Sequence, residues 1–330
     1  MSSGRLSTFL VATMAVAVLA VPAAADRQGA GPSAEVAIFY YPWYSNPARD
    51  GDWAHWYVER DGQAVLSIPY YPRRGLYSSS SSKIVTAHMA EIRAAGVDTV
   101  VVSWWGPGSA EANRLSLVAD AARRHRLDVA IHLEPYGRRT PARTAEDIAR
   151  LQAEGYRDFY VYDAERDPAS DWAEALSGIT GVRVFGHTRL VGRAKASGFH
   201  GIYTYDVLTW RGSAFRRLCT QARRAGLLCA PSVGPGFDAR LATSVEAVRP
   251  RRRGATYDAM WQRAIESNAD LVTITSYNEW QEGTQIEPAL LQIGRPAYDG
   301  AWGRAGVPAQ RAYLDATARW SAEFRASVPD

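Results

Sequence analysis

The apolar positions of the chain fall into two alternating patterns. Short unbroken runs rich in Val, Ile and aromatic residues occupy 36–41, 99–104, 128–133, 158–162, 182–185, 201–205, 227–230 and 271–275. Runs that are continuous rather than alternating suit parallel strands covered on both faces. Between them, the stretches 84–95, 110–124, 144–153, 213–225, 257–267 and 310–326 repeat apolar residues at helical spacing, and a weaker one spans 170–176. Gly96, Gly155 and Gly226 follow the last periodic residue of three of these stretches, where a residue tolerant of left-handed backbone ends a helix.

Eight strands, each followed by a crossover, predict a (β/α)8 TIM barrel in a single domain. An open doubly wound sheet is the rival, and it would carry a glycine-rich phosphate loop after its first strand. Here that strand runs into Tyr40-Tyr41-Pro42-Trp43-Tyr44, which has no use for a phosphate. No internal repeat or second-domain linker interrupts the pattern. At the start, Arg5, an apolar run over 9–21 and Ala23-Ala24-Ala25 have the layout of a secretory signal. The expected organisation is therefore a signal peptide over 1–25 cut after Ala25, a linker over 26–34, and the barrel over 35–330. No later segment is apolar for long enough to span a membrane, so the expectation is a secreted protein with no stable membrane span after cleavage.

Charge adds little. The formal net charge is +4, and all but Lys83 and Lys195 of the 38 basic residues are arginine. The densest run, Arg249-Pro250-Arg251-Arg252-Arg253, is short and continues into no basic stripe, so no nucleic-acid partner is expected. Cys219 and Cys229 could form one disulfide between a helix and the next strand, although spacing alone does not bring their α-carbons together. Two cysteines without a nearby histidine pair do not make a zinc site, and no metal is expected.

Active sites of such barrels lie at the C-terminal ends of the strands, and there the residues are informative. Strand one delivers Tyr41, Trp43 and Tyr44, backed by a loop with Asp52, His55 and Trp56. Strand two gives Trp104 and Trp105, strand three His132, Glu134 and Tyr136, strand four Tyr162 and Asp163, strand six Tyr205 and Asp206. Strand eight runs into Asn278-Glu279-Trp280-Gln281-Glu282. Aromatic faces for stacking, beside carboxylates, suit a sugar site. Glycoside hydrolysis needs a pair of carboxyl groups, about 5–5.5 Å apart when configuration is retained. Glu279 and Glu282 at i and i+3 meet that spacing at Cβ if their segment is helical. Each feature also has an ordinary reading. Acidic residues in a first helical turn favour the helix dipole, Glu134 can be the buried partner of an arginine, the Tyr-Tyr-Pro-Trp-Tyr string can be core, and His55 and His132 can be structural.

The ordered set "FYYPWY" (39–44), "HW" (55–56), "GLYSSSS" (75–81), "AGVDTVVVSWWGPG" (95–108), "HLEPYGRR" (132–139), "FYVYDA" (159–164), "PSVGPGFD" (231–238) and "SYNEWQEGTQIEPA" (276–289) resembles glycoside hydrolase family 99, the endo-acting α-mannosidases and α-mannanases. The resemblance implies a (β/α)8 barrel that hydrolyses α-mannosidic linkages in mannan or mannose-rich glycans with retention and without metal or organic cofactor. It implies Glu279 as base on the sugar 2-hydroxyl, which closes onto C1 as a 1,2-anhydro sugar, and Glu282 as acid on the leaving oxygen. It further implies Tyr44, Trp105, Glu134 and Tyr205 as sugar-site residues; His55, Trp56, Tyr136, Asn278 and Gln281 join them from their strand-end positions. A monomer is expected. Gln281 departs from the family's usual histidine, and the loops after strand three and before strand four are short, so the sugar beyond the cut bond is expected to be held differently. Two other readings remain open: a hydrolase of another α-glycan such as an α-glucan, and a carbohydrate-binding barrel without turnover.

Overall fold

In a computed structural model of the protein, residues 34–292 and 294–328 are described. The expected signal peptide (1–25), its cut site and residues 26–33 of the linker lie outside the described residues. Eight parallel strands form the centre: β1 (Glu35–Tyr40), β2 (Thr99–Trp104), β3 (Asp128–Leu133), β4 (Asp158–Val161), β5 (Arg183–His187), β6 (Gly201–Tyr203), β7 (Leu228–Ala230, resuming at Ser232–Val233) and β8 (Leu271–Ile274). Each lies beside its neighbours in sequence, and β8 returns to pair with β1, Glu35 opposite Leu271. Every residue of β1 and β2 is buried, as strands covered on both faces must be. This is the expected (β/α)8 barrel.

The ring closes through a divided strand. Leu228–Ala230 pairs with β6, whereas Ser232–Val233 pairs with β8. Pro231, which has no N–H to give either neighbour, stands at the switch, and its carbonyl accepts from Thr273 N at 3.1 Å. The strand thereby changes partner without an unpaired donor.

A helix follows each strand: α1 (Ser82–Ala94), α2 (Ala110–Arg124), α3 (Pro141–Ala153), α4 (Ala169–Leu176), α5 (Val191–Ala196), α6 (Phe215–Arg224), α7 (Ala255–Glu266) and α8 (Ala312–Ser327). Two differ from the sequence expectation by more than two residues at an end. α3 starts at Pro141 rather than 144, because Thr140 caps it by accepting from Arg143 N and proline suits the first helical position. α5 has only six residues, too few for a periodic signal; it is anchored by buried Val191 and Ala194. Cys219 on α6 and Cys229 on β7 are joined in a disulfide, with α-carbons 5.2 Å apart. Among the described residues no helix is long and apolar enough to cross a membrane.

The two barrel ends differ in chemistry. At the N-terminal end Glu35 accepts from Thr99 Oγ1 (2.6 Å) and Arg183 Nη2 (3.0 Å), and Arg183 also forks onto Asp158. These charges are paired and closed off. At the C-terminal end the long β1–α1 connection carries a hairpin, Tyr57–Arg60 against Gln63–Leu66. A second short ladder, Phe237–Asp238 against Val248–Arg249, lies in the β7–α7 connection.

Candidate active site

After Ile274 the chain enters no helix. Residues 280–283 form a tight turn closed by Gly283 N to Trp280 O at 3.2 Å, and the next long helix is α8. The helical spacing considered for Glu279 and Glu282 is therefore corrected: Glu279 precedes a turn and Glu282 lies within it. The helix-start reading of these acidic residues falls with it. Two features force the turn. Gly283 has φ +63, and a Cβ there would lie 3.1 Å from Pro69 Cγ and 3.2 Å from Asp238 O. Asn278 spends its amide on the main chain of β1, Oδ1 accepting from Tyr41 N (2.8 Å) and Nδ2 donating to Tyr41 O (2.9 Å). It ties the end of β8 to the end of β1 where backbone pairing stops.

Tyr44 secures the same segment. Its hydroxyl donates to Asn278 O (2.9 Å) and accepts from Trp280 N (3.0 Å). Its ring stacks on Trp56 at 4.0 Å, and Trp56 Nε1 donates to Tyr77 O at 3.0 Å. Tyr44, Trp56 and Asn278 are all fully buried. Of the expected sugar-site residues, these three form the footing of the turn rather than its open face.

Three carboxyl groups meet above that footing. Glu279 Oε2 accepts from the Tyr205 hydroxyl at 2.5 Å, and Tyr205 is bonded in turn to the Tyr41 hydroxyl. Glu134, at the end of β3, accepts from Ser103 Oγ at 2.8 Å and lies 2.9 Å from His132 Nδ1. Its partners are thus a hydroxyl and an imidazole, not an arginine. Trp105 donates from Nε1 to Ser103 Oγ at 3.1 Å while its ring remains 36% exposed at the rim, free to meet a ligand face. Burial pushes the Glu279 carboxyl up to about 7, with the Tyr205 hydrogen bond opposing and Glu134 adding to the rise. Burial, then the charges of Glu279, Asp206 and Glu134, hold Glu282 well above the ordinary carboxyl range. Like charges crowded together disfavour one another's ionisation.

The remaining expected residues separate. His55, at φ +60, lies flat on Trp43 with ring centres 4.3 Å apart. Burial, opposed by a hydrogen bond with Gln281 and aided by the Arg114 charge, pushes its imidazole down to about 4. It is a neutral hydrogen-bonding ring at ordinary pH. Gln281 donates from Nε2 to Ser67 Oγ at 2.8 Å. Tyr136 turns aside: its hydroxyl is bonded to Asp147 on α3 and its ring fills the space that a side chain at Gly106 would need.

Four residues noted only as strand ends belong to the cluster. Tyr41 completes the Glu279–Tyr205 chain, and His132 backs Glu134 while bonding the Tyr203 hydroxyl at 3.0 Å. Asp206 acts on Glu282. The Tyr162 phenol is raised by burial and then by the charges of Glu282, Glu134 and Glu279, so it lies within their field. Their position just past a strand end was the available signal. Among the described residues no group of three or more His, Cys, Asp or Glu is placed to hold a metal ion.

Comparison with known proteins agrees with this fold. The sequence profile of glycosyl hydrolase family 99 matches residues 33–326. A glycoprotein endo-alpha-1,2-mannosidase-like protein of Danio rerio is 32% identical over 88% of this chain and 78% of its own. The glycoprotein endo-alpha-1,2-mannosidase of Mus musculus is 29% identical over 87% and 74%. The GH99 endo-alpha-mannosidase structure from Bacteroides thetaiotaomicron superposes with a TM-score of 0.81 at 28% identity, covering 89% of this chain and 98% of that one.

Proposed function

The chain belongs to glycosyl hydrolase family 99 and is a glycoside hydrolase; from that premise we propose that it is an exported, monomeric, endo-acting α-mannosidase that retains configuration. Glu279 takes the proton of the sugar 2-hydroxyl, O2 closes onto C1, and the C1–O bond to the leaving sugar breaks as Glu282 protonates the departing oxygen. Water then attacks C1 and opens the 1,2-anhydro ring. Glu282, now a carboxylate, takes the water proton, and O2 recovers its proton from Glu279. Atoms and protons balance, and no enzyme–sugar bond forms.

One observation carries this assignment: two carboxyls share one cluster, Glu279 buried and Glu282 half-buried, yet among the described residues only Glu279 receives an O–H. The Tyr205 hydroxyl stabilises Glu279 as an anion, which suits a base. Glu282 lies in the field of Glu279, Asp206 and Glu134, which favours its protonated form and suits an acid. Export is supported by the signal-like start and by a disulfide, which persists in oxidising compartments. Monomeric action is supported by one chain supplying every residue of the cluster.

The test is a panel of α-mannans and α-glucans with product chromatography, run on the mature protein and on E279Q and E282Q. Internal cleavage of a mannan, lost by at least about 100-fold in each variant while the fold persists, is the expected result. Cleavage of an α-glucan with mannan untouched would replace the substrate. Near-full activity in either variant would refute the roles.

A further inference from the structure

The Glu282 carboxyl differs from the other two in how it is held. Glu279 is fixed by Tyr205 and Glu134 by Ser103. Among the described residues, no N–H or O–H is bonded to the Glu282 carboxyl. With no hydrogen bond to fix it, the carboxyl follows the backbone of its turn, and that backbone is held by groups of the β7–α7 connection. Asp238 N donates to Glu282 O at 2.8 Å. Arg251 Nη2 donates to Gly283 O at 2.9 Å and to Gln285 O at 2.6 Å.

Arg251 comes from the arginine run 249–253, where no nucleic-acid partner was expected, and it is buried. Its guanidinium carbon lies 4.7, 4.8 and 4.6 Å from the ring centres of Tyr70, Tyr298 and Tyr313. Among the described residues it has no carboxylate partner. A desolvated cation is attracted to phenol faces, and here one nitrogen, Nη2, gives both carbonyl bonds in directions fixed by the guanidinium plane, while among the described residues Nε and Nη1 have no hydrogen-bond partner. Its stem is confined as well: a Cβ on Gly236 would fall 2.9 Å from Arg251 Cγ. Tyr298 reinforces the clamp, its hydroxyl donating to Glu287 O at 2.9 Å. The residues on either side of Glu279 are held by other groups, Trp280 N by Tyr44 and Asn278 by the end of β1. The two glutamates thus answer to different parts of the barrel.

We infer that Arg251 is a positioning residue for the acid: caged by Tyr70, Tyr298 and Tyr313, it fixes the carbonyls after Glu282 and so aims the Glu282 carboxyl at the leaving oxygen. The inference rests on the reading of Glu282 as acid. An error of about 1 Å in such a group costs on the order of 100-fold, and only where proton donation matters.

The test compares kcat/KM, which reports the first irreversible step, on an α-mannobiosyl fluoride and on the matching oligosaccharide with a sugar leaving group. Fluoride leaves with little proton assistance. R251M is expected to lose about 10-fold or more on the oligosaccharide and less than about 3-fold on the fluoride; R251K, which keeps the charge without the fork, falls between R251M and the parent. R251K decides the matter should R251M fail to fold. Equal losses on both substrates, or no loss on either, would overturn the inference. E282Q is the control: if it too shows no leaving-group dependence, the reading of Glu282 itself fails, a separate outcome from an E282Q that is selective beside an R251K that is not.

Discussion

The chemistry turns on how one environment treats two identical side chains differently. Glu279 and Glu282 are raised by the same burial, but only Glu279 receives the Tyr205 hydroxyl. The pair titrates in two apparent steps. In the proposed mechanism activity requires Glu279 ionised, so kcat/KM should fall as pH drops through about 7, where Glu279 takes up its proton. Glu282 must keep its proton, so the alkaline limb lies higher. Removing the hydroxyl in Y205F withdraws a donor that favours the anion. The acid limb should then move up by about one pH unit, a shift of roughly 1.4 kcal/mol in the balance between the two forms. An acid limb that stays put, or moves down, would show that Tyr205 does not stabilise the anion. At this scale the sequence was informative about residue types and silent on direction. Tyr44, Trp56 and Asn278 looked like ligand contacts because of their address at strand ends, whereas their polar atoms are consumed by the protein.

At the scale of elements, the strands were the most legible part, because a run buried on both faces must be apolar throughout. β2 and β3 coincide with the expected 99–104 and 128–133. The misreadings have physical causes. The six residues of α5 are too few to show a period. The segment with Glu279 and Glu282 allowed a helical reading because i, i+3 acids are common at helix starts, yet Gly283 and the Asn278 bridge impose a turn. The link between α6 and β7 carries its own prediction. The Cys219–Cys229 bridge closes a loop of ten positions, which constrains the unfolded chain by about 2–3 kcal/mol. Neither sulfur contacts a residue of the carboxylate cluster; Cys219 Sγ meets Ser267 Oγ. A C219A/C229A variant should melt about 5 °C or more below the parent while kcat/KM at 25 °C stays within about 2-fold. An unchanged melting temperature would contradict the stabilising role.

Across the whole molecule the barrel separates what holds it from what it does. Its N-terminal end is closed by paired charges around Arg183, and its C-terminal end collects carboxyl groups that share too few protons. Closure through a divided β7 brings the 231–254 connection beside β8, so that Asp238 and Arg251 reach the catalytic turn. That meeting was not legible in the sequence, since Arg251 and Glu282 are distant along the chain and the short arginine run carried no sign of a buried partner. The central claim is that the sugar's own 2-hydroxyl, deprotonated by Glu279, displaces the leaving group. Its most direct measurement is NMR of the first product formed from an α-mannan, alongside a substrate methylated at the 2-hydroxyl of the sugar at the cut. The account predicts that the α-anomer appears first and that the 2-O-methyl substrate is not cleaved. The β-anomer appearing first, or cleavage of the methylated substrate at the parent rate, would contradict it.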